Sequence, residues 1–79
     1  MTPYYHINIF WSNEDACWIA HVPDLKYCSA HGATAEEAAK EIAVAMQLWL
    51  EVSAERGEPV PPARYRPAIY SVHDGIRAA

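Results

Sequence analysis

The tetrad Thr34-Ala35-Glu36-Glu37 constrains this chain more than any other stretch. A Thr followed three residues later by a Glu is a capping box. The Thr34 hydroxyl takes the Glu37 amide, the Glu37 carboxylate reaches back to the Thr34 amide, and a helix has to start there. From that point to Arg56, the residues Ala38, Ala39, Ile42, Ala45, Met46, Trp49, Leu50 and Val52 fall within one broad arc at 100° per residue, with Lys40, Val44, Gln47 and Glu51 opposite. Gly57 stands where a left-handed C-terminal cap belongs, and the stiff run Glu58-Pro59-Val60-Pro61-Pro62 cannot continue the helix. A helix with one apolar arc needs a second layer to cover it, and the residues before it must supply most of that layer.

Those residues alternate. Tyr5, Ile7, Ile9 and Trp11 fall on one side of an extended chain and His6, Asn8 and Phe10 on the other, the period of a strand. Ser12-Asn13-Glu14-Asp15 is a polar turn cluster, after which Trp18, Ala20 and Val22 alternate with Cys17, Ile19 and His21. The two segments form a hairpin, and closing it with Trp11 opposite Ala16 sets His6 across from His21. Pro23-Asp24 ends the second strand, and Tyr27 to Gly32 makes a third, returning one. Residues 67–72 alternate once more and suit a short final strand at a sheet edge. The expectation is an α+β fold of order βββαβ: an antiparallel three-stranded meander, one helix on one face, and a final strand. It forms a single domain over residues 1–79, with a core at 4–56, a Pro-rich connection at 57–63, and the final strand and tail at 64–79.

Composition bounds the function. With 52% hydrophobic and 20% charged residues the chain is globular, yet at 79 residues it buries a smaller share of its surface than a larger domain, so a second copy or a partner would stabilise it. No stretch approaches the roughly 20 apolar residues that span a bilayer, and MTPYYHINIF has no secretory signal pattern; no membrane association and a cytoplasmic location are expected. A net charge of −4 argues against a duplex-binding surface of Lys and Arg and favours a basic protein partner. Only the tail, with Arg64, Arg66 and Arg77 against Asp74, is locally basic.

Several short motifs in fixed order carry a family resemblance. Trp18-Ile19-Ala20-His21-Val22-Pro23-Asp24-Leu25, then Cys28, then Gly32-Ala33-Thr34-Ala35-Glu36-Glu37-Ala38, then Leu48-Trp49-Leu50, and finally Gly57-Glu58-Pro59-Val60-Pro61 together resemble the signature of the HicB antitoxins over residues 4–62. The chain departs from that signature twice: Lys26-Tyr27 replaces a Pro-Gly turn, and Ala33 replaces an Asp. The resemblance implies a partly RNase H-like fold and, as partner, a small basic RNA-cleaving toxin of the HicA type, held inactive in a complex. Many HicB proteins add a C-terminal DNA-binding domain. Only nine residues follow Tyr70 here, so the toxin-neutralising half alone is expected, and direct DNA binding is not.

An RNase H-like fold also raises the possibility of a nuclease, because active members gather carboxylates around two metal ions, one of them on the first strand. Tyr4 to Trp11 holds no carboxylate, and Asp15 and Asp24 stand at turns, where such residues serve local hydrogen bonds. His6, His21 and His31 share the sheet face away from the helix and are weak candidates for a metal site, since their spacing matches no zinc pattern; the plain alternative is a polar, partly solvated sheet surface. No cofactor is expected. Phe10 and Ile19 on the same face suggest a contact patch. Cys17 and Cys28 point to opposite faces and read as a surface thiol and a small core residue. Glu36, Glu37, Glu41, Glu51 and Glu55 suit either a basic partner or plain solvation.

These readings combine into an antitoxin that binds its toxin through Pro23, Asp24, Leu25, Lys26 and Tyr27 together with Phe10 and Ile19, is not an enzyme, and forms a homodimer or higher homo-oligomer. The competing class is an orphan HicB-like scaffold that pairs with itself or with an unrelated protein.

Overall fold

The computed structural model describes residues 5–65. The elements run β1 (Asn8–Ser12), β2 (Cys17–His21), β3 (Ser29–Gly32) and α1 (Ala35–Glu55). The strands form an antiparallel sheet in the order β1-β2-β3, and the helix lies on one face, mainly over β3 and β2. This is the expected α+β meander with one covering helix; the expected final strand at 67–72 lies outside the described residues.

The helix is bounded as its capping residues dictate, with one adjustment. Thr34 Oγ1 accepts the Glu37 amide at 3.1 Å, while the Glu37 carboxylate takes the Ala33 amide at 3.2 Å rather than that of Thr34. At the other end Gly57 adopts φ 69°, its N–H donates to the Ala54 carbonyl at 3.1 Å, and the Glu58 N–H donates to the Ser53 carbonyl at 2.9 Å. These are the two bonds of a Schellman cap. Gly32 serves packing instead of turning: a Cβ there would sit 2.6 Å from the Ala38 amide nitrogen, so its absence lets β3 run hard against the first turn of α1.

The hairpin register differs from the expected one. Trp11 pairs with Trp18 and Asn8 with His21, a shift of two residues from a closure at Ala16. The chain turns over residues 13–16, and Ala16 occupies the left-handed region at φ 53°. Ser12 Oγ bonds the Asp15 carboxylate at 2.9 Å and accepts the Asp15 amide at 3.2 Å, while Trp11 Nε1 donates to Asn13 Oδ1 at 2.8 Å. The turn thus has the four residues that the polar cluster suggested, displaced by one along the chain. Because the shift is even, every side chain keeps its expected face.

Tyr5, Ala20, Val22, Leu25, Cys28, Ala38, Ile42 and Met46 form the core. Val52, expected in the core arc, sits at its margin and is exposed, and Ser53 is buried in its place. Leaving the core, the chain folds back beneath the loop after β2. Tyr5 Oη donates to the Pro61 carbonyl, and the Asp24 carboxylate accepts the amides of Arg64 and Tyr65, each at 3.1 Å.

Candidate functional site

The loop between β2 and β3 is held from three sides. The Leu25 amide donates to the Val22 carbonyl at 3.1 Å and the Cys28 amide to the Leu25 carbonyl at 3.1 Å, which coils residues 22–28 into a double turn. Leu25, 1% exposed, plugs the turn into the core. Trp49 Nε1, reaching over from the helix, donates to the Lys26 carbonyl at 3.0 Å. Sequence periodicity places Trp49 in the core arc, and it does pack there, but its indole N–H also fastens the loop.

What this framework displays is Tyr27. Its backbone sits at φ 62°, a conformation that costs an L-residue roughly 1–2 kcal/mol and costs glycine nothing. Its side chain is 90% exposed, so no burial offsets the strain. The Lys26 ammonium lies 5.5 Å from the centre of the ring. The turn that the resemblance would make with Pro-Gly is made here with an aromatic residue in glycine's conformation.

Beyond the loop lies the sheet face turned away from the helix. Phe10, Ile19 and His31 follow one another across the three strands, and Asn8, His21 and Ser29 form the next row. The Phe10 ring meets His21 edge-on at 6.1 Å, and His21 shares a shallow depression with Pro23, Lys26 and Tyr27, so the patch reaches from Phe10 to the loop. Phe10 is 46% exposed and Ile19 partly buried. Of the sequence-derived contact residues, Lys26, Tyr27, Pro23, Phe10 and Ile19 border this surface. Asp24 instead holds the returning chain, and Leu25 supports the loop from below.

The histidines are linked otherwise than expected. His21 faces Asn8, not His6, because of the two-residue register shift. Asn8 joins them, its Oδ1 2.6 Å from His6 Nε2 and its Nδ2 3.4 Å from His21 Nε2. His6 also stacks at 48° on Tyr65, with ring centres 4.7 Å apart. His31 stands in the neighbouring row. Among the described residues no three His, Cys, Asp or Glu side chains come together as metal ligands.

Asp15 and Asp24 both make hydrogen bonds, Asp15 in its turn with Ser12 and Asp24 on two backbone amides. β1 carries no carboxylate. Cys17 and Cys28 are both free thiols, the second buried, and burial pushes the Cys28 thiol above its usual range. No helix among the described residues is long and apolar enough to cross a membrane.

A displayed loop on a small sheet with one covering helix fits many kinds of domain; similarity to a known family decides among them. The model of the HicB-like antitoxins of bacterial toxin-antitoxin systems matches residues 5–73. The chain belongs to this family. No curated protein and no solved structure matches it. Membership in the HicB-like antitoxins implies a toxin partner of some kind and a regulatory role. It also gives the motif residues their structural sense: Gly32 is where the helix of this HicB-like chain meets its sheet, Thr34 and Glu37 start that helix, and Gly57 ends it.

Proposed function

We propose that the chain neutralises a small, basic, RNA-cleaving toxin of the HicA type by covering it, with Lys26, Tyr27, Phe10 and Ile19 as contact residues and Pro23, Asp24 and Leu25 shaping the loop between them. The observation that carries this reading is Tyr27. A fully displayed aromatic ring at φ 62° costs stability at a position where glycine would fold better, and strain of that kind is retained where function uses it. Aromatic anchors are also the side chains that supply most of the binding energy in protein interfaces. The net charge of −4 suits a basic partner and speeds its encounter.

The test is co-expression with a small basic toxin of the HicA type. Rescue of growth and suppression of RNA cleavage by the chain, lost on Tyr27→Ala with folding intact, is the expected result. Undiminished RNA cleavage in the presence of excess chain would reject it.

One observation favours self-association besides. The helix covers the inner side of β1 only in part, so that Ile9 and Trp11 are exposed among the described residues, and Phe10 is exposed on the other side. Apolar surface on both faces of one strand suits a homodimer or higher assembly, as it would in an orphan scaffold with no toxin. Sedimentation of the purified chain measures the first; the absence of any toxin gene beside it would select the second.

A further inference from the structure

A groove runs between the outer edge of β3 and the helix. Val44, Leu48 and Val52 form its helix side, four residues apart and therefore in one stripe, with Leu48 55% exposed. Val44 and Leu48 lie outside the core arc and Val52 at its margin, on a part of the helix that solvation alone would keep polar. Ser29 and Ala45 lie along its length and Tyr27 stands at one end.

Beside that stripe the sheet is open. Among the described residues β3 pairs with β2 alone. The Val22 amide donates to the Cys28 carbonyl at 3.0 Å, which makes residues 28, 30 and 32 those that face β2; alternation then turns the N–H and C=O groups of Ser29 and His31 outward, into the groove. An unpaired strand edge flanked by apolar side chains is the arrangement that accepts an added strand.

Charge and chain direction narrow the occupant. Glu37 and Glu41 line the end of the groove near His31 with no cation among the lining residues, while Lys26 and Arg56 stand at the Tyr27 end, Arg56 4.0 Å from Glu58. A second copy added across this edge would lay one acidic helix beside another, since α1 carries five glutamates against Lys40 alone, itself 3.8 Å from Glu36. The described chain ends at Tyr65 beside His6, which leads into β1 at the opposite edge of the sheet. We propose that the groove takes an extended segment of the toxin, apolar at its middle and basic at the end that meets Glu37 and Glu41, which joins the sheet alongside β3. The proposal rests on the antitoxin reading for the partner's identity.

The experiment is residue-resolved amide hydrogen exchange on the full chain, free and with a small basic toxin of the HicA type, together with calorimetric titration. Strong protection of the Ser29 and His31 amides in the complex is expected. His31→Pro removes one outward donor and leaves the ladder to β2 in place, so it should weaken binding about tenfold, and Leu48→Lys at least as much. Glu41→Lys should flatten the dependence of affinity on salt. A complex that forms with unchanged exchange at Ser29 and His31 and with full affinity for both variants would overturn the groove while leaving the antitoxin reading intact. Absence of any complex would overturn both. Protection of these amides that grows with concentration of the chain alone would give the groove to a second copy instead.

Discussion

The indole N–H of Trp49 donates to the carbonyl of Lys26 at 3.0 Å and so ties the last turns of the helix to the loop that holds Tyr27 in solvent. Fold and displayed side chain meet in this one bond. Trp49→Phe keeps most of the packing and deletes the donor, leaving a carbonyl that water can reach. A loss of about 1 kcal/mol is expected, with faster amide exchange confined to residues 24–28 and weaker toxin binding. Exchange in the loop that matches the unsubstituted chain would show that the bond holds nothing.

Tyr27 and glycine should trade stability against binding. Tyr27→Gly relieves the left-handed backbone and is expected to stabilise the chain by about 0.5–1 kcal/mol, net of the greater chain entropy of glycine, while toxin affinity falls more than tenfold. Urea denaturation and calorimetric titration of the same variant measure the two. A variant that is both less stable and fully able to bind would contradict the role assigned to this side chain.

Gly32 separates packing from turning. Its substitution by Ala places a methyl group against the backbone of Glu37 and Ala38, where neither neighbour is a flexible side chain that can move aside. The helix must shift from β3, at a cost of about 1–3 kcal/mol. In a domain this small, thermal unfolding should show a drop of at least about 4 °C. An unchanged midpoint would mean that close approach of the helix to β3 at Gly32 contributes nothing to stability.

Alkaline pH should loosen the return of the chain under the loop. Tyr5 is buried, and burial first, then the charge of Asp24, raises its hydroxyl above the ordinary value of 10.0. A group raised on folding contributes stability that is fully present below the unfolded value and is lost as pH climbs through the folded one. Stability should therefore hold up to about pH 10 and fall beyond it. In ultraviolet titration one tyrosine should ionise later than the rest, and that late step should vanish in Tyr5→Phe. If Tyr5→Phe titrates like the parent, the assignment is wrong.

Periodicity alone was enough for the elements and their faces. The helix start at Thr34 and Glu37, the left-handed Gly57 and the alternation through β1 and β2 are local signals, each set by the stereochemistry of a few neighbouring residues, and the structure keeps them, with the Glu37 carboxylate moved from the Thr34 amide to that of Ala33. The faces of the strands survived even a wrong register, because a shift of two residues leaves alternation unchanged. Family membership was legible for the same reason: its motifs are the turn and cap residues that local geometry demands.

Register itself was not legible. It depends on Ala16 entering the left-handed region, which alanine does not announce as glycine or asparagine would. Nor could helical periodicity decide whether Val52 or Ser53 is buried at the margin of the arc, since the sheet covers only the width that β2 and β3 provide. The candidate site belongs to this second class. The sequence named Lys26 and Tyr27 as unusual, but only the packing of Leu25 below the loop, the bond from Trp49 above it and the engagement of Asp24 by the returning chain make Tyr27 the residue displayed in solvent. Local stereochemistry is written in neighbouring residues, whereas display depends on contacts between residues far apart in the chain, and those exist only once it has folded.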